Sequence, residues 1–203
     1  MAVEDRETRA ALEVAAGVES VARDFLPGTP GFNRILSLIH ELKSELGPAD
    51  SSEPDVDGRP ACFFLAELLS LIWFAAVLTY SESRSEQAGS LKARTASFCA
   101  LTCAARKAGW DCWSLFTDRA EQNLERYLNA FKKSGGRDLS SACIAAADSC
   151  LAALMQADGV PLEKLEKRLG TGLPSFFINA LAETVRRVRS VADRDGSSPG
   201  GRA

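Results

Sequence analysis

Residues 61–80 read ACFFLAELLSLIWFAAVLTY, a run of twenty residues in which Glu67 is the only side chain charged at neutral pH. A helix of about 20 apolar residues is long enough to cross the hydrocarbon core of a bilayer. A helix that is apolar on every side also suits the centre of a helical bundle, because neighbouring helices then cover all of its faces. The first question is therefore whether this segment lies in a membrane or in a protein core.

Amphipathic patterns on both sides of the segment favour the protein core. Apolar residues recur at helical three- and four-residue spacing in the ranges 14–25, 32–46, 90–108, 118–131, 138–157, 161–169 and 174–191. Such helices need a hydrophobic neighbour, and helix 61–80 supplies one. Glu67 would also cost roughly 2–3 kcal/mol near the bilayer centre. We therefore predict an all-α bundle of seven or eight helices around a central apolar helix, 61–80, with a single-pass membrane protein as the alternative.

The length of 203 residues and the 46% apolar share predict a single helical domain over residues 1–194. The stretch GPADSSEPDVDGRP, residues 47–60, is acidic and rich in proline and serine, and it predicts a mobile linker. We expect residues 195–203 to form a disordered tail. A capping box at Asp118 and Glu121 predicts the start of the helix that carries Phe131.

The cysteines and the N-terminus indicate a cytoplasmic protein. The first residues, MAVEDRETRAAL, have no apolar segment of the kind a secretory signal contains. We therefore expect a reducing compartment, in which the cysteines are free thiols. Cys99 and Cys103, like Cys143 and Cys150, share a helix face, and both pairs predict buried structural thiols rather than a metal or redox site.

Signatures of catalysis are scarce in this sequence. His40 is the only histidine, which removes most nucleophile–base and general acid–base designs. The acidic pairs at helical spacing lie beside lysine or arginine, as on solvated faces. No glycine-rich phosphate loop is present. We therefore expect no enzyme activity, no cofactor, no metal and no small-molecule substrate, with a helical enzyme that uses cysteines or clustered carboxylates as the alternative.

A weak helix-turn-helix pattern runs through residues 161–190. A short amphipathic helix, a glycine turn and a second helix are followed by RRVRS, which would contact phosphates. The second helix would present Phe176 and Phe177, which are poor readers of base edges. The net charge of −3 also gives no reason to expect a polyanionic partner. Nucleic-acid binding therefore stays a minor alternative.

Two short motifs resemble those of a known family. Gly58-Arg59 directly precedes the apolar helix, and Gly109-Trp110 lies about fifty residues further on, followed by Trp113. Over residues 56–116 this arrangement resembles the two homology motifs of the Bcl family of apoptosis regulators. The resemblance implies a helical bundle that binds a partner helix in a groove. It also implies that Arg59 pairs with a partner carboxylate and that Trp110 is a packing residue.

The function that we predict is a non-enzymatic helical interaction or regulatory module. Its partner would be an amphipathic helix of another protein or a second copy of this chain. We expect Arg59, Trp110 and Trp113 to bind the partner, the two tryptophans as exposed aromatic hot spots. A Bcl-like regulator, a protein anchored in a membrane by residues 61–80, and a helix-turn-helix protein remain the alternatives.

Overall fold

The computed structural model describes residues 2–46, 58–83, 87–136, 139–158 and 172–196, with side chains over narrower ranges at several helix ends. This part of the chain holds no strand and seven helices, which are α1 (Ala2–Arg23), α2 (Pro30–Leu46), α3 (Gly58–Ser83), α4 (Gln87–Lys107), α5 (Trp113–Lys133), α6 (Ser140–Asp158) and α7 (Gly172–Gly196). The all-α prediction is confirmed.

Helix α3 is the central element of the bundle. It packs against α5, α7, α4, α6, α1 and α2, so neighbours cover it on all sides. Leu65, Leu68, Leu69 and Ile72 have no exposed surface, and most of Ala61–Glu82 is buried. By length and composition α3 is a candidate membrane span. The prediction of a buried central helix is nevertheless confirmed, because the amphipathic helices turn their apolar faces towards it.

Side-chain contacts show how α3 and α5 run. Phe63 lies under Arg119, Glu67 meets Asn123, and Phe74 meets Phe131. The contact position therefore advances along both helices together, which makes them parallel. Parallel helices place both N-terminal ends at the same end of the bundle, and α4 is the connection that returns the chain to that end.

Side-chain contacts also join the neighbouring helices to α3. Trp73 of α3 donates its Nε1–H to the carbonyl of Arg94 in α4, at 3.0 Å. Phe64 of α3 stacks on Phe177 of α7, with ring centroids 5.3 Å apart. The first turn of α2 requires glycine at position 31, because a Cβ there would lie 2.0 Å from the carbonyl oxygen of Asp24, the residue after α1.

Several predicted boundaries are wrong. Helix α3 begins at Gly58, so residues 58–60 are helical rather than part of the linker. Helix α5 begins at Trp113, so the capping box at Asp118 and Glu121 is not its start. The reason is Gly109, whose φ of 69° turns the chain directly after α4 and lets the next helix begin early.

At the C-terminal end, α7 begins at Gly172 and continues to Gly196, two residues into the predicted tail. The predicted helix 161–169, linker residues 47–57 and tail residues 197–203 lie outside the described part of the chain.

Candidate functional site

The two sequence motifs meet at one end of the bundle, where a disulfide joins them. Cys62, in the second turn of α3, is bonded to Cys112, the residue before α5, with the Cα atoms 5.6 Å apart. This separation is ordinary for a disulfide. The prediction of six free thiols is therefore wrong for these two cysteines, because the parallel course of α3 and α5 brings their N-terminal ends together.

The other four cysteines form no disulfide, and they divide into two classes. Cys143 and Cys150 are buried in α6, as predicted. Cys99 and Cys103 are exposed on α4, so the prediction that they are buried is wrong. The reason is that α4 turns Ala93, Ser97 and Leu101 inward, which leaves the face with Cys99 and Cys103 in solvent.

The residues predicted to bind a partner have different environments. Arg59 belongs to the first turn of α3, and its side chain lies outside the described residues. Trp110 is only 5% exposed, so it is not the exposed aromatic that we expected, although its burial suits a packing role. Trp113 is half-buried beneath the guanidinium of Arg106, which lies 4.9 Å from its ring centroid. Their partner-binding roles stay predictions.

A buried carboxylate lies at the centre of the bundle. Glu67 has no exposed surface. Its Oε2 accepts a hydrogen bond of 2.5 Å from the hydroxyl of Tyr127. Its Oε1 accepts bonds from Asn123 Nδ2 at 3.3 Å and from Ser149 Oγ at 3.2 Å. Helices α5 and α6 therefore both supply donors to the one charged residue of the apolar segment.

Two arginines neutralise this carboxylate. The guanidinium of Arg126 donates to Glu67 Oε2 and, at 2.8 Å, to Ser149 Oγ. Arg119 Nη2 lies 3.6 Å from Glu67 Oε1, and its guanidinium also covers the ring of Phe63. About a third of each arginine side chain is exposed. The arginines thus keep part of their hydration while they compensate a buried charge.

Burial keeps two weak acids near Glu67, Tyr127 and Cys150, in the protonated form. Burial raises the pKa of Tyr127 well above its ordinary value, and the charge of Glu67 raises it further, against the opposing effect of Arg126. Burial likewise raises the pKa of the Cys150 thiol well above its ordinary value. A thiol that stays protonated is a poor nucleophile. The arrangement therefore neutralises charge and aligns helices, and the protonated Cys150 is not an activated nucleophile.

From the sequence, Glu67 was recognised only as the one charged residue in an apolar run. Its partners Asn123, Arg126 and Tyr127 were missed, although Arg126 and Tyr127 lie three and four residues after Asn123 on α5. That spacing places them along one helix face. Polar residues at these positions, on a helix predicted to pack against α3, could have indicated partners for Glu67.

Two surface pockets accompany these features. One, of about 470 Å³, lies beside α2 and is lined by Leu36, Ser37, Ile39, His40 and Glu41. The other, of about 540 Å³, lies between α5 and α6, outside Arg126, and is lined by Gln122, Glu125, Arg126, Asn129, Ala130, Lys133 and Ala145. Leu36 and Ile39 give the first pocket an apolar lining. The second is lined by charged side chains of both signs and by amide side chains.

Neither metal ligation nor similarity to known proteins adds to this description. Among the residues that the structure describes, histidine, cysteine and acidic side chains do not gather in groups of three or more as metal ligands would. Comparisons with protein-family models, curated proteins and solved structures find no match to this chain.

Proposed function

We propose that this protein is a non-enzymatic interaction module that binds an amphipathic helix of a partner protein along α2. The observation that supports this proposal is that α2 carries more apolar surface than the bundle covers. Ile35 and Ile39 are fully buried, Phe32 and Leu38 are partly buried, and Leu36 remains 36% exposed. An amphipathic helix that leaves part of its apolar stripe uncovered is suited to a further helix.

The pocket beside α2 gives this surface its shape. Leu36 and Ile39 contribute apolar lining, and Ser37, His40 and Glu41 contribute polar groups. An apolar centre with a polar rim is the usual anatomy of a protein interface. A pocket of about 470 Å³ accommodates the few anchor side chains that one helix face presents.

The chemistry of the occupant follows from α2 itself. Helix α2 contacts α3, and it buries Ile35 and Ile39, an aliphatic pair at i and i+4, in the core. A partner helix laid along the other side of the stripe continues the same ridge-into-groove packing. We therefore assign a partner helix with aliphatic residues at i, i+3, i+4 and i+7.

A peptide titration tests this proposal. A fluorescein-labelled amphipathic peptide with leucines at i, i+3, i+4 and i+7 is titrated with the full chain, and a scrambled peptide serves as the reference. We expect saturable binding that Leu36→Glu weakens by about tenfold, equivalent to 1.4 kcal/mol. Leu91→Glu is the matched control, because Leu91 is an exposed leucine on another helix, α4.

Absence of saturable binding, or equal loss in both variants, would contradict the proposal. Light scattering on the unliganded protein tests the other occupant. A dimer that Leu36→Glu dissociates would replace the partner helix by a second copy of this chain.

A Bcl-like regulator is the second candidate. It is favoured by the position of Gly58-Arg59 and Gly109-Trp110, which the Cys62–Cys112 disulfide holds at one end of a bundle with a central apolar helix. In this version Arg59 pairs with a carboxylate of the bound helix. A labelled pro-apoptotic helix peptide is titrated against wild type and Arg59→Ala, with Arg9→Ala as the control at an exposed arginine. No saturable binding to wild type would end this candidate.

A further inference from the structure

The Cys62–Cys112 disulfide differs from the other cysteines in its exposure and in its place in the fold. Cys62 and Cys112 are half-buried, whereas Cys143 and Cys150 are fully buried. Cys99 and Cys103 are more exposed than any of these and are nevertheless unpaired. Position in the fold, rather than exposure, therefore selects the pair that bonds.

The two sulfur atoms occupy different electrostatic environments. Cys112 is the N-cap residue of α5 and makes no side-chain capping bond in the disulfide form. The first backbone N–H groups of a helix and its dipole stabilise an anion at this position. Cys62 lies within α3, four residues after its first residue, Gly58, so its own helix offers it no capping position. A thiolate is therefore better stabilised on Cys112 than on Cys62.

We propose that Cys62–Cys112 is a reversible thiol–disulfide exchange site for low-molecular-weight thiols of the glutathione class, with Cys62 as the residue that carries the mixed disulfide. The thiolate of one glutathione attacks Cys62 Sγ, the bond between the two cysteines breaks, and its electron pair leaves on Cys112 as a thiolate. The thiolate of a second glutathione attacks the glutathione sulfur of the mixed disulfide, which releases glutathione disulfide and leaves Cys62 as a thiolate that takes a proton from water. Two glutathione molecules are oxidised, and one protein disulfide is reduced.

The bundle keeps its fold when this bond opens, because other contacts hold α3 to α5. The Arg119 guanidinium lies 4.4 Å from the centroid of the Phe63 ring, one residue after Cys62. Deeper in the core, Tyr127 donates to Glu67. Opening therefore removes the covalent link between Cys62 and Cys112 while these contacts remain. The exchange site does not rest on the helix-binding proposal.

Mapping the cysteines tests the inference. The full chain is equilibrated without denaturant in glutathione buffers of graded thiol-to-disulfide ratio, quenched with acid, blocked with maleimide and digested for mass spectrometry. We expect the disulfide to open while Cys143 and Cys150 stay unlabelled and the helical circular dichroism is unchanged. Mixed disulfide is expected on Cys62 in excess over Cys112. Cys99 and Cys103 serve as the internal reference, because their modification measures how exposed cysteines outside the disulfide react.

The variants Cys62→Ser and Cys112→Ser form a matched pair. At neutral pH, Cys112 in the first variant is expected to alkylate about tenfold faster than Cys62 in the second. Equal or reversed rates, or mixed disulfide mainly on Cys112, would overturn the assigned direction of attack. A bond that opens only in denaturant, or together with labelling of Cys143 and Cys150, would overturn reversible exchange in the folded protein. Either result leaves the peptide titration on α2 unaffected.

Discussion

At the scale of the residue, Glu67 is the position at which this core depends most on its neighbours. A carboxylate without exposed surface is tolerated only when opposite charges and hydrogen-bond donors replace its water. Arg126, Arg119, Tyr127, Asn123 and Ser149 do this from two other helices. The cluster therefore couples α5 and α6 to the central helix.

The first prediction concerns Arg126. In Arg126→Ala the Glu67 carboxylate stays buried but loses its closest cation, and we expect the free energy of unfolding to fall by about 3 kcal/mol. Urea denaturation measures the change. Arg9→Ala is the control, because Arg9 pairs with Glu13 on the surface and should contribute under about 0.5 kcal/mol. A loss below about 1 kcal/mol in Arg126→Ala would show that Glu67 does not need this partner.

The second prediction concerns pH and Tyr127, whose pKa burial raises well above its ordinary value. Above about pH 10 the unfolded tyrosine loses its proton while the folded one keeps it, so rising pH favours unfolding. The slope for this group reaches about 1.4 kcal/mol per pH unit, and stability from it is complete below pH 10. Denaturation between pH 9 and 11 should show a shallower decline in Tyr127→Phe than in wild type. Identical slopes would contradict a buried, protonated Tyr127.

At the scale of the element, the described side chains of α2, residues 30–41, include two fully buried aliphatic ones, Ile35 and Ile39. We predict that Ile39→Ala, which empties one of these two sites, lowers the free energy of unfolding by about 2–4 kcal/mol. Leu36→Ala, on the exposed edge, should change it by less than about 1 kcal/mol. Hydrogen exchange should quicken in α2 before α3 and α5 in the Ile39 variant. Uniform acceleration across all helices would show that α2 does not open separately.

The disulfide stabilises the arrangement of whole helices, since it closes a loop of 50 residues that contains α4. We predict that Cys112→Ser lowers the free energy of unfolding by about 4 kcal/mol, from the loop entropy that the cross-link removes from the unfolded chain. The comparison is made under oxidising conditions, with Cys99→Ser as the control at an exposed free thiol. Equal unfolding midpoints for wild type and Cys112→Ser would mean that the bond does not form in solution.

At the scale of the whole molecule, the bundle covers the helix that could have crossed a membrane. Because the neighbours of α3 bury most of Ala61–Glu82, we expect the full chain, expressed without detergent, to stay in the supernatant after ultracentrifugation and to elute as one species. Recovery only in the membrane pellet would contradict this prediction. Ile72→Asp is the companion test, since a charge at a fully buried position of α3 should drive the protein into the insoluble fraction.

Much of the architecture was readable from periodicity. The apolar run 61–80, set among amphipathic stripes, correctly predicted an all-α bundle with this helix at its centre. Helix ends were less readable, because Gly109 at positive φ and the turn after it moved the start of α5 ahead of its apparent capping box. Trp110 shows the limit for single residues, since an aromatic after a glycine turn has the same sequence signal whether it is buried or exposed.

By itself, the sequence determined the class of fold and the identity of the central helix. The reason is that the spacing of apolar residues within one segment already shows which face of a helix is buried. Only the tertiary structure decided that Glu67 meets Arg126 and Tyr127, and that Cys62 meets Cys112. These pairings join residues 50 to 60 positions apart, and they depend on the parallel course of α3 and α5. The periodicity of one helix carries no information about the direction of its neighbour.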